Sequence, residues 1–235
     1  MKKISPIQIM LTLWCISIQW TMGQDNFNEK DLGNLRYYAD ANTKLPKPDP
    51  KEKRVVFMGN SITEGWMRTD PGFFQGKPYI NRGISGQTTD QMLIRFRQDV
   101  IDLHPSVVVL LAGTNDIAEN RGPTPLEAIF ENIVSMTELA QLHDIRVVLC
   151  SVLPVYDFPW RPGLKPADKI ITLNTMISGY CAEHKIPFVD YHHAMADERN
   201  GLPYKFAEDG VHPNLEGYQC MEPLVQAAIS KALKQ

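Results

Sequence analysis

The chain has 235 residues, of which 43% are hydrophobic, and its formal net charge is −3. A chain of this length can bury one good core and is long for a single domain. The slightly negative balance, with no basic stripe, argues against a nucleic-acid-binding protein, because phosphate neutralisation requires clustered Lys and Arg.

Residues 1–23 have the layout of a secretory signal peptide. Lys2 and Lys3 precede the apolar stretch "IQIMLTLWCISIQW", and Thr21 and Gly23 are small enough for the −3 and −1 positions of a cleavage site. The stretch is shorter than the ~20 apolar residues that a membrane-spanning helix needs. We therefore expect an exported protein, periplasmic or extracellular, without stable membrane insertion after cleavage; retention of the segment as an anchor is the alternative.

The next segment, residues 24–53, is polar and ends in "LPKPDPKEK", whose prolines block regular structure. We predict a short leader helix around residues 29–41, followed by a linker. The domain itself is predicted to cover residues 54–235.

Apolar, β-branched runs recur after this linker and predict five strands buried on both faces of a sheet. The runs cover residues 54–58, 78–81 (the weakest), 106–111, 145–150 and 186–190. Apolar residues at helical spacing lie between and after them, over residues 92–100, 126–140, 173–180 and 224–229. This alternation predicts a three-layer, flavodoxin-like α/β domain with about five parallel strands flanked by helices.

Polar and glycine-rich segments follow the predicted strands. "GNS" (59–61) follows the first, "NRGISGQTT" (81–89) the second and "AGTND" (112–116) the third, while "EDGVHPN" (208–214) precedes the last helix. Because doubly wound sheets bind ligands beyond the carboxyl ends of their strands, we expect these segments to meet at one edge.

Acyl transfer requires the residue types that these segments supply. Ser61 is the candidate nucleophile, His212 the base that accepts its proton, and Asp209 the carboxylate that orients the imidazole. The backbone N–H groups of Ser61 and Gly86, with the side-chain amide of Asn115, are candidate donors to the oxyanion. Ser61 taken alone would more often be only a turn residue or a helix N-cap.

These four blocks, in this order, resemble the SGNH family of GDSL-type esterases and lipases, including its platelet-activating-factor acetylhydrolase-like and carbohydrate acetylesterase members. The resemblance runs from about residue 54 to the C-terminal helix and rests on "GNSIT", "GISGQTT", "GTND" and "DGVHP". It implies a serine ester hydrolase that needs no metal or other cofactor. One position departs from the family pattern, since Asn60 replaces the usual Asp before the serine.

The substrate is left open by the sequence. Export and three aromatic residues near strand ends, Trp66, Tyr156 and Trp160, favour an O-acetylated carbohydrate, although core packing explains these residues equally well. A lysophospholipase-like acylhydrolase of the same fold and a non-catalytic glycan-binding module are the alternatives. We expect a small-molecule or glycan ester as partner; the oligomeric state is undetermined.

After cleavage of the signal peptide three cysteines would remain, an odd number without a close pair, which indicates neither a disulfide framework nor a zinc site. Cys15 would leave with the signal peptide, and a lipoprotein signal fits poorly because the bulky Trp14 precedes it. Cys150, Cys181 and Cys220 are predicted to be small buried hydrophobic residues, with one disulfide between two of them as the alternative.

Overall fold

Five parallel strands form a sheet in the order β2-β1-β3-β4-β5 in the computed structural model, which describes residues 31–235. The strands are β1 (Val55–Gly59), β2 (Tyr79–Gly83), β3 (Val107–Leu111), β4 (Arg146–Cys150) and β5 (Phe188–Val189). The helices are α1 (Ala39–Lys44), α2 (Ser61–Thr69), α3 (Pro71–Phe74), α4 (Thr89–Asp99), α5 (Thr114–Ile117), α6 (Leu126–Leu142), α7 (Ala167–His184), α8 (Tyr191–Met195) and α9 (Leu215–Ala232). The structure confirms the predicted flavodoxin-like architecture.

The strands are apolar throughout because helices cover the sheet on both sides. Alternate residues of β1 and β3 point to opposite faces, so Val56 and Val108 pack beneath α4, α6 and α7, whereas Val55 and Val107 pack beneath α2, α3, α8 and α9. Every residue of β1 and β3 is buried. The first and third strands are therefore the rigid centre of the domain.

Helix α2 lies unusually close to the end of β2. A Cβ atom on Gly83 would lie only 2.1 Å from the Glu64 backbone nitrogen, a distance that no side chain could occupy. Glycine at this position allows the strand backbone to contact the helix backbone directly. The first turn of α2 is fixed against the sheet as a result.

The leader segment differs from the sequence-based prediction. In the part of the predicted helix that the structure describes, the chain forms turns through residue 38, and helix α1 covers Ala39–Lys44. Asn34 has a positive φ of 53°, which interrupts a helix, and the Asp31 side chain accepts a hydrogen bond from the Leu35 N–H. The predicted signal peptide lies outside the described residues.

Side-chain amides of three glutamines attach this leader to the domain. Gln91, Gln87 and Gln98 donate hydrogen bonds to backbone carbonyls of the leader at residues 32, 33 and 35. These leader carbonyls thus accept their hydrogen bonds from the domain and not from N–H groups of a leader helix. This part of the leader therefore packs on the domain.

A buried ion pair stabilises the region behind β1. Arg95 and Asp99, one turn apart on α4, have fully buried side chains and form a salt bridge of 3.0 Å. Arg95 also donates through Nη2 to the carbonyl of Gly59, at the end of β1, over 3.0 Å. Burial lowers the pKa of Arg95, and the Asp99 carboxylate opposes that effect. This pair links α4 to the strand end that precedes Ser61.

The three cysteines in the described part of the chain are free thiols, and Cys150 and Cys181 are buried as expected. The alternative of a disulfide between two of them does not hold in this structure. Across residues 31–235, no helix is both long and apolar enough to cross a membrane.

We expect Arg95→Ala to lower the free energy of unfolding by about 3–5 kcal/mol, because it leaves the Asp99 carboxylate buried without its cation. Arg95→Met combined with Asp99→Leu should lose less, since no unpaired charge is left in the core. Urea denaturation measures both. The matched control is Arg97→Ala, an exposed arginine of the same helix, which should change the value by about 0.5 kcal/mol at most. Equal losses for the Arg95 and Arg97 single variants would contradict this account of the pair.

Candidate active site

Ser61, His212 and Asp209 form a hydrogen-bonded line at the carboxyl edge of the sheet. Ser61 Oγ lies 2.9 Å from His212 Nε2 although 151 residues separate the two, and His212 Nδ1 lies 2.7 Å from Asp209 Oδ2. A carboxylate only accepts hydrogen bonds, so the proton of the neutral imidazole belongs on Nδ1. Nε2 then presents its lone pair to the Ser61 hydroxyl.

The turn that carries Asp209 and His212 is held by the Asp209 side chain. Oδ1 accepts hydrogen bonds from the backbone N–H groups of Val211 (2.9 Å) and His212 (2.8 Å), and Gly210 provides the required positive φ of 75°. Partial burial would raise the pKa of Asp209, but the hydrogen bonds from the His212 side chain and from these backbone groups outweigh it and keep the pKa below its usual value. These hydrogen bonds therefore favour the ionised form of the Asp209 carboxylate beside the imidazole.

Ser61 is the first residue of α2, directly after the end of β1. Asn60 is the N-cap, and its Oδ1 accepts a hydrogen bond from the Ile62 N–H over 3.0 Å. The substitution of the family's Asp by Asn therefore leaves the cap intact. The Nδ2 atom of Asn60 is buried without a hydrogen-bond partner among the described residues. The positive end of the α2 dipole points to the space above the serine.

The two other predicted oxyanion donors lie in the turn after β2 and in the short helix α5. Gly86 is in an exposed turn with a φ of 77°. Asn115 is buried in α5, where its Nδ2 donates to the Gln87 carbonyl over 2.9 Å and its Oδ1 accepts from Asn120 over 3.0 Å. One Nδ2 hydrogen of Asn115 is thus engaged in orienting the side chain, and the second is left for a ligand.

The three aromatic candidates have different surroundings. Trp160 is 43% exposed, its ring centroid lies 6.0 Å from that of His212, and its Nε1 donates to Asn120. Trp160 therefore borders the serine–histidine pair. Tyr156 is exposed, but it packs against Gly201 and lies beneath the Arg199 guanidinium, at 4.8 Å from its ring centroid. These contacts place Tyr156 at the 197–201 turn.

Trp66 is a core residue, and its prediction as a substrate-binding residue is wrong. Only 2% of its surface is exposed, and its ring stacks on Phe73 and Tyr218 at centroid distances of 4.6 and 5.2 Å. Helical periodicity turns this side chain toward the sheet, because it lies five residues after Ser61 on α2 and on the opposite side of the helix.

Residues that the sequence analysis missed hold the site together. Asn120 connects Asn115 to Trp160, and Gln87 connects Asn115 to the turn that contains Gly86. Glu64, three residues after Ser61 on α2, accepts hydrogen bonds from Ser85 and Tyr37. Only Glu64 had a signal in the sequence, namely its helical spacing from Ser61; the others are brought together by the fold.

This arrangement can activate a hydroxyl and stabilise a developing negative charge. Ser61 can lose its proton to His212, whose other nitrogen is fixed by Asp209. The N–H groups of residues 61, 86 and 115 are donors of the kind that stabilises such a charge. In the described part of the chain, no group of three or more His, Cys, Asp or Glu side chains could hold a metal ion.

Comparison with known proteins gives a family match over most of the chain. The sequence model of the GDSL-like lipase/acylhydrolase family matches residues 57–220, within the predicted domain. A crystal structure of a GDSL-like lipase from Bacteroides thetaiotaomicron is 52% identical and superposes with a TM-score of 0.83, covering 86% of this chain and 99% of that one.

Two curated relatives are more distant. The acetylxylan esterase of Xylanibacter ruminicola is 25% identical over 236 aligned residues, which cover 85% of this chain and 46% of that protein. An uncharacterized lipoprotein of Bacillus subtilis, YqeF, is 33% identical over 81 residues, which are 33% of each chain. The chain thus spans less than half the length of these two curated relatives.

We expect the fluorescence of Trp160 to rise in His212→Gln, because the imidazole, whose ring centroid lies 6.0 Å from that of Trp160, quenches the indole more strongly than a glutamine amide does. Emission spectra of the wild type, of Trp160→Phe, of His212→Gln and of the double variant measure it.

The Trp160→Phe variant is needed as a control because Trp66 lies near Glu222. Burial and the neighbouring Asp70 raise the pKa of Glu222 to about 7, so that its titration can change the Trp66 signal. The difference between wild type and Trp160→Phe isolates Trp160. If this difference has the same size in the background of His212→Gln, the assignment is contradicted.

Proposed function

Because the chain belongs to the GDSL-like lipase/acylhydrolase family and is a carboxylic ester hydrolase, we propose that it removes acetyl groups from an O-acetylated carbohydrate through an acyl-serine intermediate. The observation that carries this proposal is the hydrogen-bonded line Ser61–His212–Asp209, with distances of 2.9 and 2.7 Å. A non-catalytic glycan-binding module would have no use for such a line.

In the first half of the reaction, Ser61 Oγ attacks the ester carbonyl carbon while its proton passes to His212 Nε2. The carbonyl π electrons move to the oxygen and form a tetrahedral oxyanion. As this intermediate collapses, the bond to the alkoxy oxygen breaks and His212 returns the proton to that oxygen. The alcohol leaves, and the acyl group stays on Ser61.

The second half repeats these steps with water as the nucleophile. His212 Nε2 takes a proton from water as the water oxygen attacks the acyl carbon, and a second oxyanion forms. Its collapse breaks the bond to Ser61 Oγ, which recovers the proton from His212. The carboxylic acid is released. Asp209 stays ionised throughout and stabilises the imidazolium in both halves.

The oxyanion is proposed to accept hydrogen bonds from the backbone N–H groups of Ser61 and Gly86 and from Asn115 Nδ2. Asn115 is suited to this because the Gln87 carbonyl and Asn120 fix its amide plane before substrate binds. Donors that are already oriented need no reorganisation as charge develops, and one such donor typically contributes ~10²–10³ in rate.

A carbohydrate ester is proposed on two grounds. The relative from Xylanibacter ruminicola carries the name acetylxylan esterase. In addition, Trp160 presents an indole ring beside His212 that is 43% exposed, and 40% of the His212 side chain is exposed too. An open site with an aromatic wall suits a sugar ring, whose C–H face packs on indole.

Export is also part of the proposal. It rests on the signal-like layout of residues 1–23 and on the similarity to a Bacillus subtilis protein described as a lipoprotein. An exported enzyme would encounter its polymer substrate in the periplasm or outside the cell.

Replacement of the proposed nucleophile tests the mechanism. Ser61→Ala should lower kcat for p-nitrophenyl acetate by about 10³-fold or more, and Asp209→Asn by at least about 10²-fold, since the imidazole loses its orienting anion. Ser135→Ala, which removes a hydroxyl from α6 that bonds its own helix, is the matched control and should retain wild-type activity. Wild-type rates in Ser61→Ala would refute the proposal.

The substrate class is tested with p-nitrophenyl esters of two to twelve carbons and with acetylated xylan and pectin. We expect kcat/KM to be highest for acetyl and to fall with chain length. Trp160→Ala should raise KM for acetylated xylan about tenfold while changing the rate on p-nitrophenyl acetate much less, because only the sugar contacts the ring. Preference for long acyl chains would favour a lipid acylhydrolase instead.

A further inference from the structure

The carboxylate of Glu64 connects the helix that carries Ser61 to the turn that carries Gly86. Glu64 lies three residues after Ser61 on α2, so its side chain leaves the same side of the helix. Its Oε2 accepts hydrogen bonds from the Ser85 backbone N–H, over 3.0 Å, and from the Ser85 hydroxyl. Its Oε1 accepts one from the Tyr37 hydroxyl of the leader.

Hydrogen bonds, and not side-chain packing, hold the turn at Gly86 in place. Gly86 is exposed, and a Cβ atom added to it would meet no atom within 4 Å. The two flanking residues are hydrogen-bonded. On one side Glu64 binds Ser85; on the other, the Gln87 carbonyl accepts from Asn115 Nδ2 over 2.9 Å, the Gln87 N–H donates to the Ile84 carbonyl over 3.4 Å, and the Gln87 side chain accepts from Arg95. The position of Gly86 is thus set by the hydrogen bonds of the residues on either side of it.

The direction of the Gly86 N–H depends on the conformation of Ser85, because this N–H belongs to the peptide group that Ser85 begins. Glu64 bonds both the backbone N–H and the side chain of Ser85, which fixes the residue at two points. A displacement of about 1 Å at a catalytic donor can lower a rate by ~10²-fold. A carboxylate that prevents such a displacement of the Gly86 N–H would raise the catalytic rate without contacting the substrate.

We propose that Glu64 is a positioning residue that holds the Gly86 N–H toward the oxyanion, and that Tyr37 of the leader supports it from behind. This inference rests on the proposed function, in which Gly86 stabilises the oxyanion. It also gives the leader a role, since the Tyr37 hydroxyl orients the carboxylate from outside the predicted catalytic domain.

A purely structural role for Glu64 makes a different prediction. A carboxylate in the first turn of a helix interacts favourably with the helix dipole, and its loss would lower thermal stability without a specific effect on the transition state. The experiment must therefore separate transition-state stabilisation from stability and from substrate binding.

The test compares Glu64→Ala, Glu64→Gln and Tyr37→Phe, with p-nitrophenyl acetate as substrate. We expect Glu64→Ala to lower kcat about 10- to 100-fold with KM changed less than about threefold. Glu64→Gln should recover much of this loss, because its amide oxygen can still accept from the Ser85 N–H. Tyr37→Phe should show a smaller loss than Glu64→Ala. The matched control is Glu127→Gln, an exposed carboxylate in the first turn of α6.

Inhibition by phenylboronic acid provides the second readout. The tetrahedral adduct of the boronic acid with a serine places an oxygen where the oxyanion forms, so its Ki should rise across the variants in proportion to the fall in kcat/KM. Thermal unfolding is measured for each variant, and Glu64→Gln and Tyr37→Phe carry the comparison if Glu64→Ala does not fold.

Two results would overturn the inference: kcat in all three variants equal to that of Glu127→Gln, or losses of kcat without a matching rise in the Ki of the boronic acid. Ser61→Ala assayed in parallel separates this from a failure of the proposed function. If Ser61→Ala is inactive and the Glu64 variants are not impaired, only the positioning role of Glu64 is wrong. If Ser61→Ala is fully active, the proposed mechanism is wrong as well.

Discussion

The arrangement of the site depends on two parallel strands that lie side by side and end at the same level. In the register of the sheet, Gly59 at the end of β1 is paired with Leu111 at the end of β3. The chain passes from β1 to β2 on one side and returns to β3 on the other, so a crevice opens above the junction of β1 and β3. Ser61 follows the end of β1 and Asn115 follows the end of β3, so both lie at this crevice. Each is fixed by a strand that is buried on both faces.

The rigidity behind the crevice comes from polar groups in the interior. Arg95 donates to the Gly59 carbonyl and to the Gln87 side chain and is paired with Asp99, so one buried guanidinium connects α4, the end of β1 and the turn after Gly86. Buried charges are tolerated when each is paired and hydrogen-bonded. The Gly86 turn is otherwise exposed, and this network, with Glu64 and Asn115, provides the constraints that side-chain packing does not.

His212 comes from a different part of the chain and is less buried than Asn115. Asp209 and His212 belong to a turn before α9 and have side chains that are about two-fifths exposed, whereas Asn115 is 4% exposed. Hydrogen bonds within the turn, rather than burial, keep this carboxylate and imidazole in line. The buried Asn115 amide is therefore held more rigidly than the partly exposed imidazole of His212.

The sequence by itself determined the fold class, and it predicted the three residues of the hydrogen-bonded line Ser61–His212–Asp209, because both follow from local patterns. Apolar strand runs alternate with helix-period segments, and the blocks around Ser61, Gly86, Asn115 and His212 each follow a strand or precede the last helix. The spacing of three residues between Ser61 and Glu64 also indicates that both side chains lie on the same side of a helix. The boundaries of the leader helix were predicted less well, and its start was placed too early in the chain. The leader carbonyls at residues 32, 33 and 35 accept hydrogen bonds from glutamines of residues 87–98 and not from a helix of their own, which the local sequence does not indicate.

Only the tertiary structure decided the surroundings of each side chain. Trp66, Tyr156 and Trp160 are alike as aromatic residues after strand ends, yet one lies in the core, one beneath Arg199 and one beside His212. Whether a side chain faces the core or the crevice depends on packing between elements that are distant in the chain. The bonds of Asn120, Gln87 and Tyr37 likewise join segments that are brought together by the sheet order and by the packing of α4 and the leader, which no local pattern encodes.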